Sequence, residues 1–110
     1  MPKAHPLFLE IAAQLRALAS DAETTLSFGS YQGPNGLTHA EEEMIEADLD
    51  YSDATYVLMN GKITAGETEG EPRRYRVEEI TRDGIHAGFI VEFSVEEKWV
   101  EIVTAFRVKE

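Results

Sequence analysis

The chain has 110 residues, 43% hydrophobic and 28% charged, which is typical of a folded protein and long enough for only one domain, residues 1–110. It contains no cysteine, which excludes disulfide frameworks, thiol catalysis and zinc ribbons. The 21 acidic residues outnumber 10 basic ones, for a formal charge of -11, which argues against direct nucleic-acid binding because phosphate contacts need clustered positive charge.

The first predicted element is an amphipathic helix from Pro6 to about Ala19. Its apolar residues recur at spacings of three and four: Leu7, Phe8, Ile11, Leu15 and Leu18. Polar residues interrupt this stretch, and no segment reaches the roughly 20 apolar residues of a membrane span. We therefore expect a helix packed on the core, in a cytoplasmic protein without membrane contact.

Two shorter helices are predicted after a short strand at 24–28 and a loop at 29–36. The second helix begins at Thr38, which forms a T-x-x-E capping box with Glu41. The third helix takes Ser52 as its N-cap and ends at Asn60-Gly61, a typical left-handed helix exit. The predicted inward-facing residues are Ala40, Met44, Ile45 and Ala47 on the second helix, and Ala54, Val57 and Leu58 on the third.

After Gly61 the helical period changes to strand-like alternation, beginning with a short strand at 62–65 and a weakly alternating one at 73–80. Two strictly alternating strands follow, the first through Ile85, Ala87, Phe89, Val91 and Phe93 and the second through Val100, Ile102, Thr104 and Phe106. In that pattern Ile90, Val103 and Ala105 point the other way. The predicted fold class is α+β, with N-terminal helices packed on a twisted antiparallel sheet of about four strands.

The negative charge is concentrated in residues 41–71, which hold ten acidic side chains and one basic side chain, Lys62. One explanation is a solvated face that keeps the protein soluble. The other is a contact surface for a protein partner with a basic surface, because electrostatic complementarity steers association. The candidate contact residues are Glu42, Glu43, Glu46, Asp48 and Asp50.

Four short motifs occur in an order that is similar to a family of small bacterial and phage domains of unknown function. Leu37-Thr38-His39-Ala40-Glu41-Glu42-Glu43-Met44 resembles the H-A-x-x-R-M part of the family's S/T-x-H-A-x-x-R-M opening. The likeness continues through Val57-Leu58-x-Asn60-Gly61-Lys62-Ile63, Arg73-Arg74-Tyr75-Arg76-Val77 and Ile102-Val103-Thr104-Ala105-Phe106. These domains look like relatives of the RelE and BrnT ribonuclease toxins, and the resemblance covers about residues 37–108.

The resemblance implies a set of residues for metal-independent RNA cleavage: His39, Arg73, Arg74, Arg76 and Thr104. Such cleavage needs a base, an acid and positive charge for the phosphorane. Glu43, however, stands where the family has arginine, and Ala47 replaces a second basic position, so attraction to phosphate becomes repulsion.

These observations favour a non-enzymatic inhibitor on a degenerate toxin-like scaffold. We expect this inhibitor to be encoded by a phage or mobile element and to act against a nucleic-acid-handling complex. The alternative is a ribonuclease toxin of a toxin–antitoxin pair, and a third possibility is a housekeeping domain whose acidity only maintains solubility. The three histidines show no metal-ligand spacing, so we expect no metal and no cofactor, and His86 is expected to face solvent.

Overall fold

The computed structural model describes residues 6–29, 33–66 and 74–109. Over these ranges the helices are α1 (Pro6–Ser20), α2 (His39–Glu46) and α3 (Tyr51–Asn60). The strands are β1 (Thr25–Ser27), β2 (Lys62–Gly66), β3 (Arg74–Ile80), β4 (His86–Ser94) and β5 (Trp99–Arg107). The predicted α+β class, with helices packed on a sheet, is confirmed.

The strands form one sheet in the order β1-β5-β4-β3-β2. The last four make an antiparallel meander, as predicted, whereas β1 pairs with β5 in parallel. The sheet is therefore mixed and has five strands instead of about four. The difference arises because the short segment Thr25–Ser27 docks on the edge of β5 beside Trp99–Glu101, where the Thr25 amide donates to the Lys98 carbonyl at 3.0 Å.

A β-bulge changes which residues of β5 face the core. Val91 pairs with Ile102 but Ile90 pairs with Thr104, which leaves Val103 as an extra residue. Ala105 is consequently buried with Ile102, while Thr104 turns to the opposite face. The predicted strict alternation is wrong beyond Ile102, because one inserted residue reverses the side of every later one.

The core lies between the helices and one face of the sheet. Its fully buried side chains include Leu15 from α1, Val57 from α3 and Phe89 at the centre of β4. The predicted inward residues of the short helices are buried, namely Ala40, Met44, Ala47, Ala54, Val57 and Leu58. Ile45 is the exception, with 64% of its surface exposed. Because successive helical residues are turned by about 100°, Ile45 points away from the β5 contact made by its neighbour Met44.

Two capping boxes fix the starts of the short helices. The Glu41 amide donates to Thr38 Oγ1 at 3.2 Å and the Thr38 amide donates to Glu41 Oε1 at 3.0 Å, as predicted for α2. The cap of α3 is Asp50 and not Ser52, because Asp50 and Asp53 satisfy each other's backbone amides at 2.8 and 3.0 Å.

The predicted left-handed exit of the third helix is also wrong. Gly61 has extended backbone angles, φ -76° and ψ 165°. A side chain at this position would collide with the Val57 carbonyl and the Val77 side chain. Glycine is therefore required here for a close approach between α3 and β3 and not for positive φ.

Helix α2 lies along the part of the β5 edge that β1 does not cover. The Ala105 amide donates to Glu43 Oε1 at 3.4 Å, and Arg107 Nε donates to the Ala47 carbonyl at 2.8 Å. An uncovered edge strand offers unpaired backbone groups to other chains. Helix α2 therefore closes this edge and lies with its own carboxylates beside β5.

Candidate functional site

Some carboxylates of the acidic segment, residues 41–71, stabilise the fold. Residues 41–71 contribute seven acidic residues to the described ranges, and four of them accept hydrogen bonds from backbone amides: Glu41, Glu43, Asp50 and Asp53. Glu67, Glu69 and Glu71 lie outside the described residues. The predicted contact residues Glu43 and Asp50 are thus held by the fold itself.

The Tyr51 ring organises this part of the surface. Its hydroxyl donates to Glu41 Oε2 at 2.5 Å, and its ring centroid lies 4.7 Å from that of Phe28. The Tyr51 hydroxyl, followed by the Thr38 amide, holds the pKa of the Glu41 carboxyl below its usual value. Glu41 in turn raises the pKa of Tyr51.

The other three contact candidates carry charge that the described part of the chain does not neutralise. Glu42 and Glu46 are four residues apart on α2, and Asp48 follows in a turn with φ 60°. No ion pair or hydrogen bond joins these three carboxylates to another side chain within residues 6–29, 33–66 and 74–109. Glu42 and Glu46 are therefore like charges about one helical turn apart, and Asp48 adds a third two residues later.

Two exposed apolar residues lie in the same stretch of chain, and one of them, Ile45, lines a cleft with Asp48. Ile45 and Tyr51, which is 56% exposed, line a cavity of about 220 Å³ together with Leu37, Met44 and Leu49. Glu41 and Asp50 also line it. Sequence reasoning missed this feature because it assigned Ile45 to the core. The only available signal was that Ile45 follows Met44 directly, so both cannot face the sheet.

An acidic cleft adjoins that cavity and shares Ile45, Leu49 and Asp50 with it. Its other charged residues are Asp48, Asp53, Asp83 and Arg107. Asp83 comes from the turn between β3 and β4, so the cleft joins the helical segment to the sheet. The negative charge therefore extends through Asp53 and Asp83, beyond the five contact residues that the sequence indicated.

The structure separates His39 from the basic residues that were grouped with it. His39 is the first residue of α2, its side chain is 74% exposed, and its Nε2 lies 2.9 Å from Glu43 Oε1. It therefore lies on the β5 side of the sheet, whereas Arg74 and Arg76 are on β3, two strands away. Strands are spaced about 4.8 Å apart, so two spacings separate β3 from β5.

Arg74, Arg76 and Thr104 share the face of the sheet directed away from the helices, which we call the outer face. Arg76 and Thr104 lie in one cross-strand row with Ile90 between them. Arg74 Nε is 2.7 Å from Glu92 Oε1. Arg73 lies outside the described residues. The bulge at Val103 is what brings Thr104 to this face.

A cluster that sequence reasoning did not identify surrounds Glu78 on the outer face. Arg76 Nε lies 2.7 Å from Glu78 Oε2, and Thr64 Oγ1 donates to the same oxygen at 2.6 Å. His86 Nε2 lies 3.4 Å from Glu78 Oε1, and the His86 side chain is only 29% exposed, so His86 is half-buried beside a carboxylate instead of simply facing solvent. The Arg76 guanidinium also stacks over the Phe106 ring at 4.7 Å.

A carboxylate, an imidazole and a guanidinium together can move protons and stabilise a developing oxyanion. The signal in the sequence was the Thr81-Arg82-Asp83-Gly84 turn. The strand register that follows from this turn pairs Ile80 with His86 and so brings His86 near Glu78.

No group of three or more side chains that could bind a metal ion occurs among the described residues. Nor is any helix in these ranges long and apolar enough to cross a membrane.

Comparisons of the chain with protein-family models, with curated proteins and with solved structures give no match. The similarity to ribonuclease toxins therefore rests on the short motifs alone and stays a prediction.

Proposed function

We propose that this protein is a non-enzymatic binding protein whose acidic surface, defined as Glu42, Glu43, Glu46, Asp48 and Asp50, binds a basic surface of a partner protein. The observation that carries the proposal is the absence of any pairing cation for Glu42, Glu46 and Asp48 among the described residues. Like charges four residues apart, as at Glu42 and Glu46, destabilise a helix slightly. A basic partner would relieve that repulsion.

The geometry of α2 supports binding over mere solubility. Glu43 fixes the helix to β5 through the Ala105 amide, so the outward carboxylates are held on a rigid element. Rigid placement lowers the entropy lost on association and favours a specific contact. Dispersed charge would maintain solubility equally well without such placement.

The partner class follows from charge. Proteins that handle nucleic acid present basic surfaces, since phosphate binding needs clustered lysine and arginine. A protein that occupies such a surface would compete with nucleic acid and act as an inhibitor. We propose that this protein is encoded by a phage or mobile element and has this role in the cytoplasm. Its scaffold would then be like that of the ribonuclease toxins.

A charge-reversal experiment tests the proposal. Wild-type protein and a Glu42→Lys/Glu46→Lys/Asp48→Lys variant are titrated into a short fluorescent peptide rich in arginine and lysine. We expect the variant to bind at least about tenfold more weakly, and wild-type binding to weaken as salt rises. The matched control, Glu10→Lys/Glu96→Lys/Glu97→Lys, changes the same charge at exposed positions elsewhere and should bind nearly as wild type does.

Equal losses in the two triple variants would mean that only net charge matters. Wild-type binding that is indifferent to salt would contradict the proposal as well. Both results would leave the acidic segment as a solvated face.

The second candidate function is metal-independent RNA cleavage, and the specific observation in its favour is the cluster of Arg76, Glu78 and His86. Purified protein is incubated with RNA in the presence of a chelator. Cleavage that is lost in both His86→Ala and Glu78→Gln but retained in His39→Ala would assign an active site to the outer face and displace the binding proposal. Cleavage lost only in His39→Ala would favour the site implied by the motif resemblance.

A further inference from the structure

We infer that the partner inserts one large apolar side chain into the cavity beside Ile45, while flanking arginine or lysine side chains reach the adjoining aspartates. This inference rests on the proposed function and specifies the chemistry of the partner. The cavity formed by Leu37, Met44, Ile45, Leu49 and Tyr51 is called the anchor cavity below.

The size and lining of the anchor cavity indicate its occupant. Its volume of about 220 Å³ is below the roughly 300–1,000 Å³ of small-molecule sites. Its walls are mainly apolar side chains, so a carbohydrate or nucleotide would lose hydrogen bonds to water there without replacement. A single leucine, phenylalanine or tryptophan side chain from a protein surface matches this size and character.

The cavity is formed before any partner arrives. Tyr51 is held by its hydrogen bond to Glu41 Oε2 and by its contact with the Phe28 ring. Met44 is buried against the core, which fixes the floor, while Ile45 stays exposed at the rim. Such preorganisation reduces the entropic cost of binding, and burial of Ile45 and Tyr51 then contributes favourable free energy.

Charge complementarity decides what must flank the anchor. The acidic cleft next to the cavity contains Asp48, Asp50, Asp53 and Asp83 against one cation, Arg107. Arg107 Nε is engaged with the Ala47 carbonyl. Asp50, which is exposed, uses one carboxylate oxygen in the capping box, which leaves its second oxygen for a ligand.

The combination of an apolar centre and an acidic border selects between possible occupants. A guanidinium group pairs well with carboxylates, and arginine is enriched beside apolar anchors at protein interfaces. A second copy of this chain would instead bring carboxylates against carboxylates. The surface therefore fits a basic partner segment with one apolar anchor.

Two fluorescent peptides with the same number of arginines and lysines provide the test. The anchor peptide carries a central tryptophan, and the blank peptide carries serine at that position. In anisotropy titrations we expect wild-type protein to bind the anchor peptide about tenfold more tightly than the blank peptide. Ile45→Ala should remove most of that preference and leave affinity for the blank peptide unchanged.

Val95→Ala is the matched control, because Val95 is also a large exposed apolar residue but lies in the turn between β4 and β5. It should retain the full preference for the anchor peptide. Because Ile45 is exposed, Ile45→Ala should fold, and an unchanged thermal unfolding midpoint checks this.

The remaining outcomes separate the two proposals. Equal affinity for both peptides, unchanged by Ile45→Ala but weakened by the triple reversal at Glu42, Glu46 and Asp48, would overturn the anchor and leave the proposed function standing. Failure of the triple reversal to weaken either peptide would overturn the proposed function. Concentration-dependent dimerisation abolished by Ile45→Ala would make a second copy the occupant and would also overturn the inference.

Discussion

The acidic surface on α2 and the outer face of the sheet both carry charged side chains but neutralise them differently. On the outer face, Arg74 and Arg76 each lie 2.7 Å from a carboxylate oxygen, of Glu92 and Glu78 respectively. On α2, no ion pair or hydrogen bond joins Glu42 or Glu46 to a cation of the described ranges, although Arg107 and Lys109 line a surface pocket together with Glu46. The two arginines of the outer face are thus paired within the fold, whereas Glu42 and Glu46 are left for solvent or a partner.

This difference follows from how the two regions are built. Neighbouring antiparallel strands place residues far apart in sequence side by side, so Arg74 on β3 meets Glu92 on β4. Arg76 and Glu78 meet because side chains two apart on one strand share a face. A short helix brings together only residues three and four apart, and α2 contains four glutamates and no lysine or arginine. The local composition therefore prevents α2 from neutralising itself.

The largest expected effect concerns the core on which both regions rest. Phe89→Ala removes a fully buried ring from β4 and should lower the free energy of unfolding by about 3–5 kcal/mol. Urea titration monitored by circular dichroism measures it. A loss smaller than that of the helix-cap variants below would contradict the central position of Phe89.

The next prediction compares a paired carboxylate with an unpaired one. Glu92→Gln should lower the free energy of unfolding by about 1–2 kcal/mol, because Glu92 is 7% exposed and accepts the Arg74 Nε hydrogen bond at 2.7 Å. Glu46→Gln, on the exposed side of α2, should leave stability unchanged or raise it slightly. Equal losses in the free energy of unfolding for Glu92→Gln and Glu46→Gln, measured by chemical denaturation, would contradict the distinction between paired and unpaired carboxylates.

A third prediction divides the acidic segment itself into structural and free carboxylates. Asp50→Ala and Thr38→Ala each remove one helix cap and should cost about 1 kcal/mol. Asp48→Asn should cost less than either, since the Asp48 side chain accepts no hydrogen bond in the described ranges and asparagine tolerates its positive φ of 60°. The ranking is checked by thermal unfolding of the three variants, and an Asp48 variant that is least stable would refute this division.

The smallest expected effect is a dependence on pH. The Tyr51 hydroxyl holds the pKa of Glu41 below its ordinary value of 4.5, so this interaction stabilises the fold above that pH and is lost as pH falls through the lowered pKa. Tyr51→Phe should therefore be less stable than wild type at neutral pH, with the difference disappearing in acid. Urea midpoints at several pH values measure it, and a constant difference down to strong acid would exclude Glu41 as its source.

Local patterns were enough to predict several elements of this protein. The Thr38/Glu41 capping box, the apolar stripe of α1 and the turn at Thr81-Arg82-Asp83-Gly84 depend on residues within a few positions of each other. The concentration of acidic residues in 41–71 was equally visible. Each of these signals is independent of how distant parts of the chain meet.

Tertiary structure decided the features on which the functional argument depends. The bulge at Val103 arises from pairing with β4, and it moves Thr104 to the outer face. The position of α2 on the β5 edge buries Met44 and leaves Ile45 exposed at the rim of the anchor cavity. Pairing of distant strands also assembles the cluster around Glu78. The sequence by itself determined the elements and the sign of the charge, because these are local properties. Which side chains are buried, paired or left available was decided only when the elements packed, because that depends on contacts between residues far apart in the chain.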